Sequence, residues 1–282
     1  MTEAASDPVA ALVREFDFGR YAATLFAPAE ARPHLLALYA FDIELARVRD
    51  LVSEPMVGEL RLQWWRDALA EPERADAAAH PVAHALEKAA AFGRLPREAL
   101  VALVDARVDD LYDDPVPSVA ELEGRLGATS SAALRLASLI AAGGSDPGGA
   151  ASAGYGGVAR GLVQLLRRLP RDAARGKLLL PVDRMAALGL RREDVLDAKP
   201  TRQLAALAAE LRALARKRLA EARLSFRDLD PAAAAAFLPL ALLEPELAAL
   251  DKARSPLEEP PARAHWRTLL RLWRASRRPP PF

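Results

Sequence analysis

The chain has 282 residues, 51% of them hydrophobic, and 39 Lys and Arg against 38 Asp and Glu give a formal net charge of +1. That length supplies one large domain or two small ones with a sizeable core. The near-neutral balance points to neither a nucleic acid nor a membrane surface as partner of the chain as a whole. The absence of cysteine excludes disulfides, thiolate metal sites and cysteine nucleophiles, and it fits a reducing cytoplasm.

The N-terminal stretch MTEAASDPVA is acidic and lacks the apolar run of a signal peptide. Ser6-Asp7-Pro8 is a helix start, with a capping side chain followed by proline. Leu35, Leu38, Tyr39, Asp42, Leu45 and Ala46 recur at three- and four-residue spacing, which predicts a helix from about Pro33 to Val52. Further helices are expected at 58–69, 82–92, 96–111, 119–126, 130–142 and 151–169. The glycine-rich turn GGSDPGG at 143–149 separates the last two. Three more follow at about 201–224, 232–250 and 262–276. Alternating β-branched runs are missing, so no strand is expected. No uninterrupted apolar run reaches the ~18 residues of a membrane span. The expectation is an all-α fold, a helical bundle formed by residues 1–276, with 277–282 as a disordered tail.

Several segments read in order resemble the squalene and phytoene synthases. LLALYAF (35–41) is similar to the first motif helix of that family. VDARVDDLYDDPVPSVAEL (104–122) resembles its central helix and the turn after it, and LEGRLGATSS (122–131) its next helix start. GLVQLLRRLPRDAARGKLLLP (161–181) resembles the second motif helix and its RGR-x-x-LP ending. The resemblance implies an isoprenoid-synthase-like bundle around a central cavity. In active members two aspartate-rich motifs face each other there and hold Mg2+ against the diphosphate of an allylic substrate. Mg2+ needs hard oxygen ligands, and a departing diphosphate needs cations held in place.

Here the motifs are degraded. The positions that match the first acidic motif are Ala46, Arg47, Val48, Arg49 and Asp50; those that match the second are Arg168, Leu169, Pro170, Arg171 and Asp172. Each keeps one carboxylate and gains two arginines, which repel a metal in a low-dielectric cavity. No metal site and no cofactor are therefore expected, and no catalytic residue. Were the protein an active prenyl transferase, Asp50 and Asp172 would be its catalytic acids and Mg2+ its cofactor. Arg175 and Lys177 match the basic residues of the RGR ending. With Tyr39, Asp42, Arg47 and Arg168 they form the candidate lining of a metal-free pocket for an isoprenoid phosphate or anionic lipid. The plainer reading is that these arginines are ion-paired to Asp42, Glu44, Asp50 and Asp172.

Other features read as structural. Asp109-Asp110-Leu111-Tyr112-Asp113 spells DDxxD, but it matches the central helix, and Asp114-Pro115 ends that helix; a solvated acidic helix end is expected. Trp64-Trp65 suits a core or partner surface. His80 and His84 lack a third ligand for zinc. In HWRTLLRLWRASRR (265–278), Trp266, Leu269, Leu270 and Trp273 form an apolar stripe, with Arg267, Arg271, Arg274, Arg277 and Arg278 mostly on the other side. The segment 266–278 suits a peripheral contact with an anionic membrane and equally a last bundle helix with a solvated face.

The stretch 38–69, LYAFDIELARVRDLVSEPMVGELRLQWWRDAL, resembles one branch of the family more than the enzymes. That branch has degraded aspartate motifs and includes the mitochondrial complex I assembly factor of phytoene-synthase-like type. The resemblance implies a non-catalytic scaffold, cytoplasmic or peripheral on an inner membrane, that helps assemble a membrane respiratory complex. Active prenyl transfer and metal-free binding of an isoprenoid or anionic lipid stand as the alternatives.

Overall fold

The computed structural model describes residues 7–261 and 263–282. Ser6, expected to help start the first helix, and Ala262, expected to open the last, lie outside them. Among the described residues there are no strands, only an isolated bridge between Val116 and Pro181. In chain order the helices are α1 (Pro8–Phe16), α2 (Phe18–Thr24), α3 (Arg32–Leu51), α4 (Pro55–Ala70), α5 (Ala75–Ala79), α6 (Pro81–Phe92), α7 (Arg97–Asp105), α8 (Val119–Leu126), α9 (Ala132–Ala141), α10 (Ala150–Ala174), α11 (Val182–Ala187), α12 (Arg192–Leu196), α13 (Arg202–Leu224), α14 (Ala234–Phe237), α15 (Leu243–Lys252) and α16 (His265–Ala275).

Two helices organise the bundle. α3 packs against α1, α6 and α9, and α10 packs most extensively against α13. α3 begins with Pro33 in its first turn, where the missing N–H costs nothing. It buries Leu35, Leu38, Tyr39, Phe41, Asp42, Leu45, Val48 and Arg49, so its inner face carries charge as well as hydrocarbon. α10 is rich in small residues, and they let it approach closely. A Cβ on Gly157 would lie 2.2 Å from the Ser131 Cα, in the π-helical turn 127–131 that precedes α9.

Several boundaries differ from expectation for identifiable reasons. α10 continues past Pro170 to Ala174. A proline removes one backbone donor, but Leu169, Asp172 and Ala173 are buried on either side of it, and this packing outweighs the loss. The helix expected at 96–111 stops at Asp105 and resumes as a 3-10 turn at Asp109–Leu111. The stretch 231–252 is long and apolar enough to cross a membrane by composition, with a mean hydropathy of 1.6. Instead it breaks into 3-10 and α turns around Pro239, and 61% of its most apolar 18-residue window is buried in the bundle. α2, α5, α11 and α12 are too short to leave a clear periodic signal.

The tail expected to be disordered is docked. The Phe282 ring sits 5.5 Å from Phe226 and 6.2 Å from Phe237, and Arg223 Nε donates to the Phe282 carbonyl oxygen at 3.0 Å. An aromatic socket built by α14 and the end of α13 captures it, which no local pattern around RRPPPF announces.

Gly157→Ala places its methyl against backbone that cannot swing aside and should destabilise the fold by about 1–3 kcal/mol. Gly124→Ala in α8, where a Cβ would meet nothing within 4 Å, should stabilise it by about 0.5–1 kcal/mol. Urea denaturation of both variants checks the contrast.

Candidate functional site

The residues at the two motif positions face each other between α3 and α10. Asp50, at the end of α3, accepts from Arg168 Nη2 on α10 at 2.9 Å and from Arg175 Nη1 just beyond α10 at 2.9 Å. Asp172 on α10 lies 3.8 Å from Arg49 Nη2 on α3, and its other oxygen lies 3.7 Å from Arg168 Nη2. Each helix therefore presents its one remaining carboxylate to an arginine on the other. Lys177 Nζ donates to the Arg49 carbonyl at 2.9 Å and ties the loop after α10 to the end of α3. Arg49 and Asp172 are buried, Arg168 and Asp50 are partly covered, and Arg175 lies at the rim.

A second charged cluster lies deeper, two helical turns back along both helices. Asp42 accepts from Arg20 Nη1 at 2.5 Å and from Arg107 Nη2 at 2.8 Å. Arg160 Nη2 donates to Asp17 at 2.5 Å, and Arg20 Nε lies 3.7 Å from the same carboxylate. Arg107 also donates to Asp110 at 3.2 Å. The Arg20 guanidinium sits 4.7 Å over the Tyr39 ring, a desolvated cation–π contact. Three arginines and three aspartates thus close a neutral network between α2, α3, α10 and the segment after α7.

Burial would raise the Asp42 carboxyl, but the Arg20 and Arg107 guanidiniums override it and hold its pKa down to about 2. Burial is likewise the largest influence on Asp17, and Arg160 and Arg20 reverse it so that its pKa is lowered. Burial raises the Tyr39 phenol. The two carboxylate directions follow from guanidiniums in direct contact with them.

The structure divides the candidate ligand-binding residues. Tyr39 and Asp42 belong to the deep network, and Arg168, Arg175 and Lys177 to the outer one. Arg47 is in neither: its guanidinium stacks 3.8 Å over the Phe16 ring. The arginines therefore do not pool into one basic pocket with free donors. The deep network as a whole, with Asp17 bound by Arg160 and Asp42 by Arg20 and Arg107, is not evident from the sequence pattern. The signal available was Arg20 three residues after Asp17 at a helix start, and Arg160 among the small residues of GGVARG.

These residues do not fit a Mg2+ site. Asp50 has both oxygens engaged by guanidiniums, and a cation reaching Asp172 would sit beside Arg49 and Arg168. Among the described residues no group of three or more His, Cys, Asp or Glu is arranged to hold a metal. The DDxxD at 109–113 is dispersed: Asp109 faces Arg125, Asp110 faces Arg107 and Asp113 faces Arg192. Trp65 is buried edge-on to Phe41, Trp64 Nε1 donates to Asp76 at 2.8 Å, and His80 caps α6.

Helical bundles of known structure share this fold. The squalene synthase HpnC from Alicyclobacillus acidocaldarius superposes with a TM-score of 0.73 at 21% identity, over 86% of this chain and 92% of that one. A dehydrosqualene synthase in complex with ligand gives 0.80 at 17% identity, over 94% and 93%. The fold is that of the all-α isoprenoid synthases, with ion pairs at the positions of the two acidic motifs. The squalene/phytoene synthase family model matches residues 13–274, and the chain belongs to that family. Among curated proteins it is similar to NADH dehydrogenase (ubiquinone) complex I, assembly factor 6. The bovine protein is 32% identical over 83% of this chain and 70% of its own length, the rat protein 33% identical over 86% and 72%, and the human protein 32% identical over 83% and 70%.

The Asp42 carboxyl has a lower pKa folded than unfolded, so its contribution is present above pH ~4 and is lost as pH falls toward ~2, about 2 kcal/mol in all. Asp42→Asn should remove that contribution at neutral pH. It leaves Arg20 only the 3.7 Å contact with Asp17 and Arg107 only Asp110, with a loss of up to about 3–5 kcal/mol, and flattens the acid limb of a thermal-unfolding profile between pH ~4 and ~2. An unchanged acid limb in the variant contradicts the assignment.

Proposed function

We propose that this protein is a non-catalytic member of the squalene/phytoene synthase family that serves as an assembly factor for a membrane respiratory complex of the NADH dehydrogenase type. One observation carries the loss of chemistry: the carboxylates left at the two motif positions, Asp50 and Asp172, are bound by Arg168, Arg175 and Arg49. An ionising prenyl transferase needs those positions for cations that grip a leaving diphosphate. Both oxygens of Asp50 accept from guanidiniums and Asp172 lies between Arg49 and Arg168, so a cation at either carboxylate would meet fixed positive charge, and no Mg2+ or other cofactor enters this reading. The assembly role is supported by the relatives named as complex I assembly factor 6 from cattle, rat and human. In this role the bundle is a rigid body offered to a partner, and its work is done at a membrane, where respiratory subunits are put together.

The test has two arms. Purified protein given farnesyl or geranylgeranyl diphosphate, Mg2+ and a reductant should release no pyrophosphate. Release that Asp50→Ala abolishes would make it an enzyme. Deleting the coding sequence in its host should lower the amount of assembled NADH:quinone oxidoreductase in membranes, read by native gel and by NADH-driven quinone reduction. An unaltered complex would contradict the assembly role whatever the first arm gave.

A further inference from the structure

α16 has three faces, and the one that packs on the protein is not its most apolar one. His265 stacks on Phe18 at 3.7 Å, Thr268 and Leu272 are buried, and these residues seat the helix on α2 and the turn 238–242. Trp266, Leu269, Leu270 and Trp273 lie on a separate stripe that points away from the bundle. Trp266 is 61% exposed and Trp273 44% exposed. At about 100° per residue, Arg267, Arg271, Arg274 and Arg278 fall together on the third face. Of the two readings left open by the sequence, bundle packing uses the small inward face, and the tryptophan stripe has no partner within the described residues.

We propose that this outer surface of α16 docks the protein on an anionic membrane. The segment 263–282 contains six arginines and no acidic residue. No ion pair among the described residues engages Arg267, Arg274, Arg277 or Arg278. Two of them instead cover the tryptophans: Arg277 lies 3.8 Å over the Trp273 ring and Arg267 lies 5.2 Å from the Trp266 ring. An indole beside a guanidinium, with leucines between, matches a lipid interface, where the ring enters the headgroup boundary and the guanidinium meets phosphate. A second copy of the same face would set cations against cations, so self-association does not satisfy it.

The surface continues past the helix. Between the end of α13 and residues 276–281 lies an open groove of about 870 Å3, bordered by Arg223, Arg227, Arg277 and Arg278. Leu224, 69% exposed, stands on its lip. Arg277 is shared by the groove and the Trp273 contact. Cationic rim and apolar floor together fit a lipid headgroup with the start of its chains. None of these residues belongs to the Asp–Arg networks between α3 and α10, so the inference stands or falls separately from the loss of catalysis and from the assembly role.

The test is co-sedimentation of the full chain with phosphatidylcholine vesicles, with and without phosphatidylglycerol, together with tryptophan emission. Binding should require phosphatidylglycerol, weaken with salt and shift emission to the blue. Trp266→Ser/Trp273→Ser, both at exposed positions, should weaken binding at least about tenfold. Arg274→Gln and Arg278→Gln should each weaken it about fivefold at low salt. Wild-type protein that ignores the anionic vesicles overturns the proposal, and so does a double tryptophan variant that binds as well as wild type. A wild-type dimer in light scattering that the double tryptophan variant dissociates would show that a second copy covers this face, and would also overturn it.

Discussion

The exchange of carboxylate for guanidinium across the gap between α3 and α10 is the constraint on which the rest of the site depends. Asp50 of α3 is held by Arg168 of α10, and Asp172 of α10 is approached by Arg49 of α3. In a bundle of this family the same gap is where two acidic motifs would repel each other unless cations lay between them. Here the neutralising charge is covalently part of the chain. The deeper network repeats the solution with Asp42, Asp17, Arg20, Arg107 and Arg160. Asp42 precedes Asp50, and Arg160 precedes Arg168, by eight residues each. The two layers are thus spaced by about 12 Å along both helices.

Such networks are poor sources of net stability, because desolvating the charges offsets most of their attraction. They are nevertheless costly to break, since removing one partner leaves the charge of the others uncompensated. Arg49 Nε, Arg168 Nε and one oxygen of Asp172 in the outer layer, and Arg107 Nε and Arg160 Nε in the deep one, lie buried without a hydrogen-bond partner. The deep layer is tighter, with three contacts on Asp42 and Asp17 at 2.5–2.8 Å. This fits a division of labour in which the deep layer fixes the register of α2, α3 and α10, and the outer layer, closed over by Arg175 and Lys177, joins the ends of the motif helices.

Much of this was legible in the sequence. The long helices α3, α6, α10 and α13 follow from their apolar periodicity; the degraded motifs follow from the family resemblance, which picks out Ala46–Asp50 and Arg168–Asp172, and from the charge found there. What was not legible depends on contacts between distant residues. Nothing around Asp42 announces that its partners are Arg20 and Arg107, which lie 22 residues before it and 65 after it in the chain. Arg47 and Arg49 read alike in sequence, yet one turns to Phe16 and the other to Asp172, because positions two apart on a helix point about 200° apart. In α16 the stripe was visible, but its direction was set by Thr268 and Leu272, too modest a pair to advertise an inward face. The docking of the tail 277–282 is hidden for the same reason, since its socket comes from Phe226 and Phe237.

The central claim is that side-chain cations have replaced metal ions between α3 and α10. Thermal unfolding of the wild-type chain with and without Mg2+, in the presence of a non-hydrolysable allylic diphosphate analogue, tests it most directly. A ligand at about one hundred times its Kd would stabilise the fold by about 2.7 kcal/mol, a shift of several degrees that is easily read. The account predicts no Mg2+-dependent shift. A shift that appears only with Mg2+ and disappears in Asp50→Ala would show that the carboxylates still serve a metal, and would contradict it.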